Sequence, residues 1–193
     1  MRTITKMEMV FVLTVLKNPQ SKYNAHSLAK ELGISSMGAL KIGKKLISEN
    51  ILASQQMGQA SFYNLPAKNV SAEMYYSFLF SRERQDASPY VKRWLRELEK
   101  ISAADLIILF GSVLKKGRDA EDIDVLFVTD AKRFSLLKRE IENLNTLNSK
   151  KIHPIYQTDK DFKKHIFSDP LVQNAIKGII VKGERFFLKE ILV

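Results

Sequence analysis

The chain has 193 residues with 31 Lys and Arg against 21 Asp and Glu, which gives a formal net charge of +10. It contains no cysteine, so disulfides and cysteine-ligated zinc or iron–sulfur sites are excluded. No uncharged apolar run reaches the roughly 18 residues that a membrane helix needs. A short apolar run near the start lacks a cleavage pattern. We therefore expect a cytoplasmic protein with no membrane partner.

The positive charge is concentrated in the first third of the chain. Residues 1–68 contain nine Lys and Arg against three Asp and Glu, whereas 69–100 and 101–193 have net charges of only +1 and +3. Clustered positive charge indicates a polyanionic partner, either nucleic acid or an acidic surface. A generally basic, solubilising surface is the alternative explanation.

Three helices and two short strands are predicted in this basic third. The helices cover 7–17, 25–32 and 36 to about 50, and the strands cover 51–55 and 61–65. Asn24 and Ser35 offer side-chain oxygens as N-caps of the second and third helices. Gly33 suits a left-handed C-cap between these two helices. The chain order is therefore helix, helix, turn, helix and hairpin.

This order, with the segment Leu-Ala-Lys-Glu-Leu-Gly-Ile-Ser at 28–35, resembles the winged helix-turn-helix of bacterial and archaeal transcription regulators over about residues 5–66. The resemblance implies that the third helix enters the major groove of double-stranded DNA. Ser36 and Met37 would then approach base edges, because they lie at the helix tip. Three lysines of this helix would contact phosphates. They are Lys41, Lys44 and Lys45.

A homodimer is expected, because regulators of this type often recognise two half-sites. The alternative use of such a domain is protein contact or dimerisation without DNA.

Two more helices are predicted in the middle of the chain. The first is capped by Ser71, runs to about Arg84 and has an apolar side that includes Met74, Tyr75, Phe78 and Leu79. The charged stretch 82–87 is expected to be a solvated link. Ser88-Pro89 begins the second helix, which buries Trp94, Leu95 and Leu98. We assign 1–68 to the first domain, 69–88 to a helical connector and 89–193 to the second domain.

Two buried strands in the second domain are bordered by polar residues. The strand 105–110 ends at Gly111-Ser112, and the strand 123–128 has Asp122 and Asp124 at its beginning. Strand alternation places these two carboxylates on one face of the sheet. Because they repel each other, a divalent cation is expected to lie between them. Gly111 lets a phosphate approach the backbone closely. Ser112 adds a hydroxyl group and begins a helix whose N-terminus favours an anion.

The pattern of strand, Gly-Ser, nine residues, Asp-x-Asp and strand resembles the signature of the DNA-polymerase-β-type nucleotidyltransferase superfamily. The similarity is to its minimal nucleotidyltransferase branch and covers about residues 89–184. It implies that Asp122 and Asp124 are catalytic and hold Mg²⁺ or Mn²⁺ against a nucleoside triphosphate, with ATP the first choice. The implied nucleotide-binding residues are Gly111, Ser112, Lys115, Lys116 and Arg118. A coincidental acidic strand end is the alternative.

One departure from this family concerns a third acidic residue, which active relatives usually carry on the following strand. The predicted strand 151–158 contains no acid. His153 lies near the expected place and could act as a base or a metal ligand. It could also be an edge residue before Pro154, and we favour that interpretation. The missing carboxylate leaves catalytic activity open.

The resulting prediction is a two-domain α+β protein, with an N-terminal winged helix-turn-helix and a C-terminal nucleotidyltransferase fold of mixed β-sheet and flanking helices. Three functions follow from it. The chain could be a nucleotidyltransferase that binds DNA, with a protein side chain or a small molecule as acceptor. It could be a DNA-binding transcriptional regulator whose degenerate transferase domain only senses nucleotide. It could also be an antitoxin-like module that binds a helical partner protein.

Overall fold

A computed structural model describes residues 4–67 and 69–192. The fold is mixed α+β and contains a two-stranded and a four-stranded sheet, which confirms the predicted α+β class. The chain divides into two compact units, Met1–Leu79 with Ile191–Val193 and Phe80–Glu190. Among the described residues, no helix combines the length and apolar character needed to cross a membrane.

The elements are named in chain order. The first unit contains α1 (Lys6–Leu16), α2 (Ala25–Leu32), α3 (Ser36–Ser48), β1 (Ala53–Met57) and β2 (Ala60–Asn64). Helix α4 (Val70–Asp86) includes the point of division between the units. The elements that follow are α5 (Pro89–Glu99), β3 (Leu106–Phe110), α6 (Val113–Lys116), β4 (Ile123–Val128), α7 (Phe134–Leu147), β5 (Ile152–Gln157), α8 (Asp159–His165), α9 (Pro170–Ala175), β6 (Ile179–Lys182) and α10 (Glu184–Ile191).

Helices α2, α3 and α5 are capped by the predicted residues. The Asn24 side chain accepts a hydrogen bond from the backbone of Ser27, and Gly33 ends α2 in the left-handed conformation. Ser35 caps α3 and Ser88 caps α5, each by accepting a backbone N–H three residues on. These caps satisfy backbone donors that a helix leaves unpaired at its first turn.

The hairpin of the first unit begins two residues later than predicted for its first strand. Ile51 and Leu52 are buried, and their N–H groups donate to the carbonyl of Leu46. They therefore close the turn that follows α3 rather than open a strand. Strand β1 itself is largely exposed, so its sequence has no apolar alternation that would mark its start.

Helix α4 differs from the prediction in its extent and in its buried face. It continues through 82–86, where a solvated link was expected. Asn69, rather than Ser71, accepts the hydrogen bond from the Ala72 backbone at its start. The buried side includes Tyr76 and Phe80, whereas Met74 and Phe78 are 70% and 45% exposed. The predicted apolar side was therefore wrong at these two positions.

The second unit is built on a sheet with the strand order β5-β4-β3-β6. Strand β3 pairs antiparallel with β4 and with β6, whereas β4 and β5 are parallel. Because parallel neighbours need a crossover, α7 connects β4 to β5. Helices α5 and α7 bury Trp94, Leu98 and Ile141 in one core with β3 and β4. This core fixes the strand ends on which the polar residues lie.

Two polar contacts hold helices to this sheet. Glu140 of α7 accepts hydrogen bonds from the backbone N–H groups of Ser102 and Ala103, just before β3. Arg84 of α4 donates to the carbonyl of Ile180 in β6 at 3.1 Å and pairs with Glu184 of α10. All of these residues belong to the second unit.

Candidate functional site

The Gly-Ser end of β3 lies beside the acidic start of β4. The antiparallel register pairs Phe110 with Asp124, so the next residue, Gly111, lies next to this aspartate. Gly111 has a φ of 79°, and a Cβ added to it would overlap the Asp124 carboxyl group. Glycine is required here for two reasons, because the backbone is left-handed and because the carboxylate occupies the space of a side chain.

His153 lies opposite Asp124 on the neighbouring strand. The parallel register of β4 and β5 pairs these two residues, and His153 Nδ1 is 3.1 Å from Asp124 Oδ1. The His153 side chain is 69% exposed, whereas that of Asp124 is 23% exposed. His153 thus lies on the edge strand of the sheet before Pro154, as favoured from the sequence, and its ring is also a neighbour of the acidic pair Asp122 and Asp124.

The donor atoms of Asp122, Asp124 and His153 lie within 4.8 Å of one another. Two carboxylate oxygens and one imidazole nitrogen are a donor set that divalent cations accept in proteins. Because residue 111 is a glycine and has no side chain, the Asp124 carboxylate can lie directly against its backbone. The residues present thus fit a divalent cation.

Ser112 occupies the position predicted for a phosphate contact, but the helix after it is short. Helix α6 has four residues, and the Ser112 side chain makes no capping hydrogen bond to it. The helix that was expected to favour an anion at its N-terminus is therefore only about one turn long. The half-buried Ser112 hydroxyl and the Gly111 backbone remain beside the carboxylates.

Three cations follow Ser112 closely in the chain. Lys115 and Lys116 end α6, and Arg118 lies in the 3-10 turn Gly117–Asp119 that comes next. All three side chains are exposed. Because none forms an ion pair with a described residue, their charge is available to a polyanionic ligand.

A second candidate surface lies on α3 in the first unit. Ser36, Met37, Lys41 and Lys44 are all exposed on this helix, and Met37 is 61% exposed. Lys45 differs from them, because its ammonium group pairs with the carboxylate of Glu8 in α1. Glu8 is only 6% exposed. Lys45 is therefore engaged in an ion pair within the first unit, whereas no ion pair joins Lys41 or Lys44 to another described residue.

A groove of about 390 Å³ borders the same surface. It lies between the start of α2, α3 and the hairpin, and its lining includes His26, Leu40, Lys44, Ser61 and Tyr63. His26 Nδ1 is 3.5 Å from the hydroxyl of Ser36. The sequence pattern did not single out His26, because its proximity to α3 depends on the packing of α2.

Comparison of the chain with protein-family models, curated proteins and solved structures finds no match. What the two surfaces do must therefore be inferred from their own residues. The second unit joins a Gly-Ser turn to two carboxylates and a histidine, and helix α3 of the first unit presents two exposed lysines and an exposed N-terminal tip.

Proposed function

We propose that the chain is a nucleotidyltransferase-family protein with a DNA-binding first unit. The second unit would bind a nucleoside triphosphate with a divalent cation and transfer its nucleoside monophosphate to a hydroxyl acceptor. The first unit would be a winged helix-turn-helix that binds double-stranded DNA. The observation that carries the proposal is the adjacency of Gly111, at the end of β3, to Asp124 of the Asp-x-Asp segment in β4.

The residues of the second unit have distinct roles in this proposal. Asp122 and Asp124 would hold Mg²⁺ or Mn²⁺. The bound cation would supply positive charge that neutralises the phosphate oxygens. Gly111 would offer backbone without a side chain, and the Ser112 hydroxyl would donate a hydrogen bond to a phosphate oxygen.

The exposed cations of the following turn, Lys115, Lys116 and Arg118, would neutralise the triphosphate. The acceptor oxygen would attack the α-phosphorus and displace pyrophosphate. Catalysis of this kind depends mainly on positioning and on charge stabilisation, and both are supplied by groups at the two strand ends.

The first unit supports DNA binding through α3. Lys41 and Lys44 are exposed, as phosphate contacts require, and Ser36 and Met37 lie at the N-terminal tip that would meet base edges. The hairpin follows in the order that a wing requires, and β1 and β2 pair antiparallel around Gly58-Gln59.

Label transfer tests the enzymatic proposal. The full chain is incubated with radiolabelled nucleoside triphosphates, Mg²⁺ or Mn²⁺, and cell lysate. We expect transfer of label that disappears in the Asp122→Asn/Asp124→Asn double variant and persists in Glu121→Gln, which neutralises an adjacent exposed carboxylate. Transfer that the double variant retains would contradict the site assignment.

A DNA-binding regulator whose second unit senses nucleotide without transferring it is the second candidate. It is favoured by His153, because a histidine pairs with Asp124 on the strand where active relatives carry an acid. Nucleotide binding without label transfer, together with DNA affinity that changes when nucleotide is added, would support this candidate over the enzyme.

A further inference from the structure

The position of His153 bears on which cation the second unit prefers. His153 Nδ1 and Asp124 Oδ1 are 3.1 Å apart. Two neighbouring ligands at right angles on one octahedral ion, each about 2.1 Å from it, are separated by about 3.0 Å. The two atoms therefore already have the separation of adjacent ligands on a shared ion. Asp122 offers a third ligand atom within 4.8 Å of both.

The His153 ring is free to adopt the small rotation that ligation needs. Its side chain is 69% exposed, so the core does not hold it. Asp124 is its hydrogen-bond partner among the described residues. The backbone of residue 153 is fixed by the register of β5 against β4. An exposed ring on a fixed backbone suits a metal ligand.

The donor chemistry separates the candidate cations. Mg²⁺ prefers oxygen ligands and keeps several waters. Imidazole nitrogen favours first-row transition metals, whose affinity for such sites rises from Mn²⁺ onward in the series. Two carboxylates carry the charge needed to neutralise one divalent ion, so the third ligand can be neutral.

We propose, building on the metal site of the proposed function, that His153 is a metal ligand that makes the site selective for a transition-metal cation such as Mn²⁺ over Mg²⁺. It determines specificity, whereas Asp122 and Asp124 provide the charge that binds any divalent cation.

Metal binding to the full chain, without nucleotide, tests this proposal. Mn²⁺ is titrated and its free ion followed by electron paramagnetic resonance, and Mg²⁺ affinity is obtained by competition. We expect Mn²⁺ to bind at least about tenfold more tightly than Mg²⁺. His153→Ala should weaken Mn²⁺ binding about tenfold and change Mg²⁺ binding by less than about twofold. His153→Asp should strengthen Mg²⁺ binding and reduce the preference.

Spin-echo modulation by an imidazole nitrogen gives a direct readout on the bound Mn²⁺. The signal should be present in the unmodified chain, absent in His153→Ala and retained in His165→Ala, whose ring lies against Gln157. His153→Ala should fold, because the side chain is mostly exposed, and circular dichroism checks this.

The outcomes separate the two proposals. Mn²⁺ binding that His153→Ala leaves unchanged, or a bound ion without nitrogen modulation, would overturn the role of His153 and leave the carboxylate site in place. Failure of both cations to bind would overturn the carboxylate site as well. Equal affinity for Mn²⁺ and Mg²⁺ would overturn only the selectivity.

Discussion

Lys44 and Lys45 are neighbours on α3 with different environments. The Lys44 side chain is exposed beside the groove of the first unit. The Lys45 ammonium pairs with Glu8, whose carboxylate is almost fully buried and also accepts a hydrogen bond from the backbone of Thr5. A buried charge that loses its partner is costly, so the second lysine stabilises the fold.

Replacing each lysine by alanine should separate the two roles. Lys44→Ala should weaken DNA binding and leave the free energy of unfolding almost unchanged. Lys45→Ala should lower that free energy by about 2 kcal/mol, because the buried Glu8 carboxylate loses its charged hydrogen-bond donor. Urea denaturation and DNA titration of both variants provide the measurements. An unaltered stability of Lys45→Ala would show that the ion pair contributes nothing.

The effect of Lys45→Ala should also depend on pH. Burial raises the pKa of Glu8, but the hydrogen bonds and charge of Lys45, with the bonds to Thr5, outweigh burial and lower it. A lowered pKa contributes stability above the unfolded-state value, and this contribution is lost as the pH falls through the folded-state value. The difference in the free energy of unfolding between the unmodified chain and Lys45→Ala should therefore shrink as the pH falls. A difference that stays constant with pH would contradict the role given to the ionised Glu8 carboxylate.

Gly111 should be sensitive to substitution because of its backbone and its neighbour. Gly111→Ala forces a side chain into a left-handed conformation, which costs about 1–2 kcal/mol, and displaces the Asp124 carboxylate. We expect lower thermal stability and loss of Mn²⁺ binding. Gly117→Ala is the matched control, since Gly117 also has a positive φ but has open space around it. The control should lose stability while it keeps metal binding.

Among the elements, α7 is joined to the segment before β3 by Glu140, in addition to the ion pair of Arg133 with Asp105 at the start of the helix. Glu140 is partly buried, and burial raises its pKa. The Ser102 hydroxyl and the backbone N–H groups of Ala103 and Ser102 outweigh this effect and lower the pKa. The ionised form of Glu140 is thus the one that holds α7 to the sheet.

Glu140→Gln should destabilise the chain by about 1–2 kcal/mol at neutral pH, because the amide loses charge-assisted hydrogen bonds. The loss should diminish as the pH falls through the folded-state pKa of Glu140, since that lowered pKa confers stability only above the unfolded value. Urea denaturation at neutral and acidic pH measures this loss in the free energy of unfolding. Glu142→Gln, at an exposed position of the same helix, is expected to have almost no effect.

Elements defined by local signals were predictable from the sequence. Helix α2 and strand β4 have the predicted bounds, because a cap or a continuous apolar run marks them. The buried face of α4 was not predictable, since apolar residues surround the whole helix and periodicity does not select among them. The pairing of Lys45 with Glu8 spans 37 residues, and no local pattern encodes it.

In the candidate site too, residues within one local motif were predictable, whereas a contact between distant parts of the chain was not. Gly111, Ser112, Asp122 and Asp124 were identifiable because their spacing forms one motif within 14 residues of chain. His153 joins them through the parallel pairing of β4 and β5. Because that pairing depends on the crossover through α7, sequence reasoning placed the histidine near the site without deciding its role.

At the scale of the whole molecule, the proposal assigns polyanion binding to both units. Binding of DNA should weaken as salt rises, because lysine–phosphate contacts release counterions. For Lys41→Ala/Lys44→Ala, the slope of log affinity against log salt should fall in magnitude by about 2 per bound chain. The Asp122→Asn/Asp124→Asn variant should keep the original slope without nucleotide. DNA affinity absent at low salt would refute the DNA-binding proposal.

The crossover between β4 and β5 has a consequence for the order in which the chain can assemble. Gly111 and Asp124 are brought together by a short antiparallel connection, whereas Asp124 and His153 are separated by 29 residues. Closing the longer loop costs more entropy and usually comes later in folding. The contact between Gly111 and Asp124 would thus form before the contact between Asp124 and His153. An ion held by all three residues would bind the complete fold most tightly, so raising its concentration would raise the melting temperature.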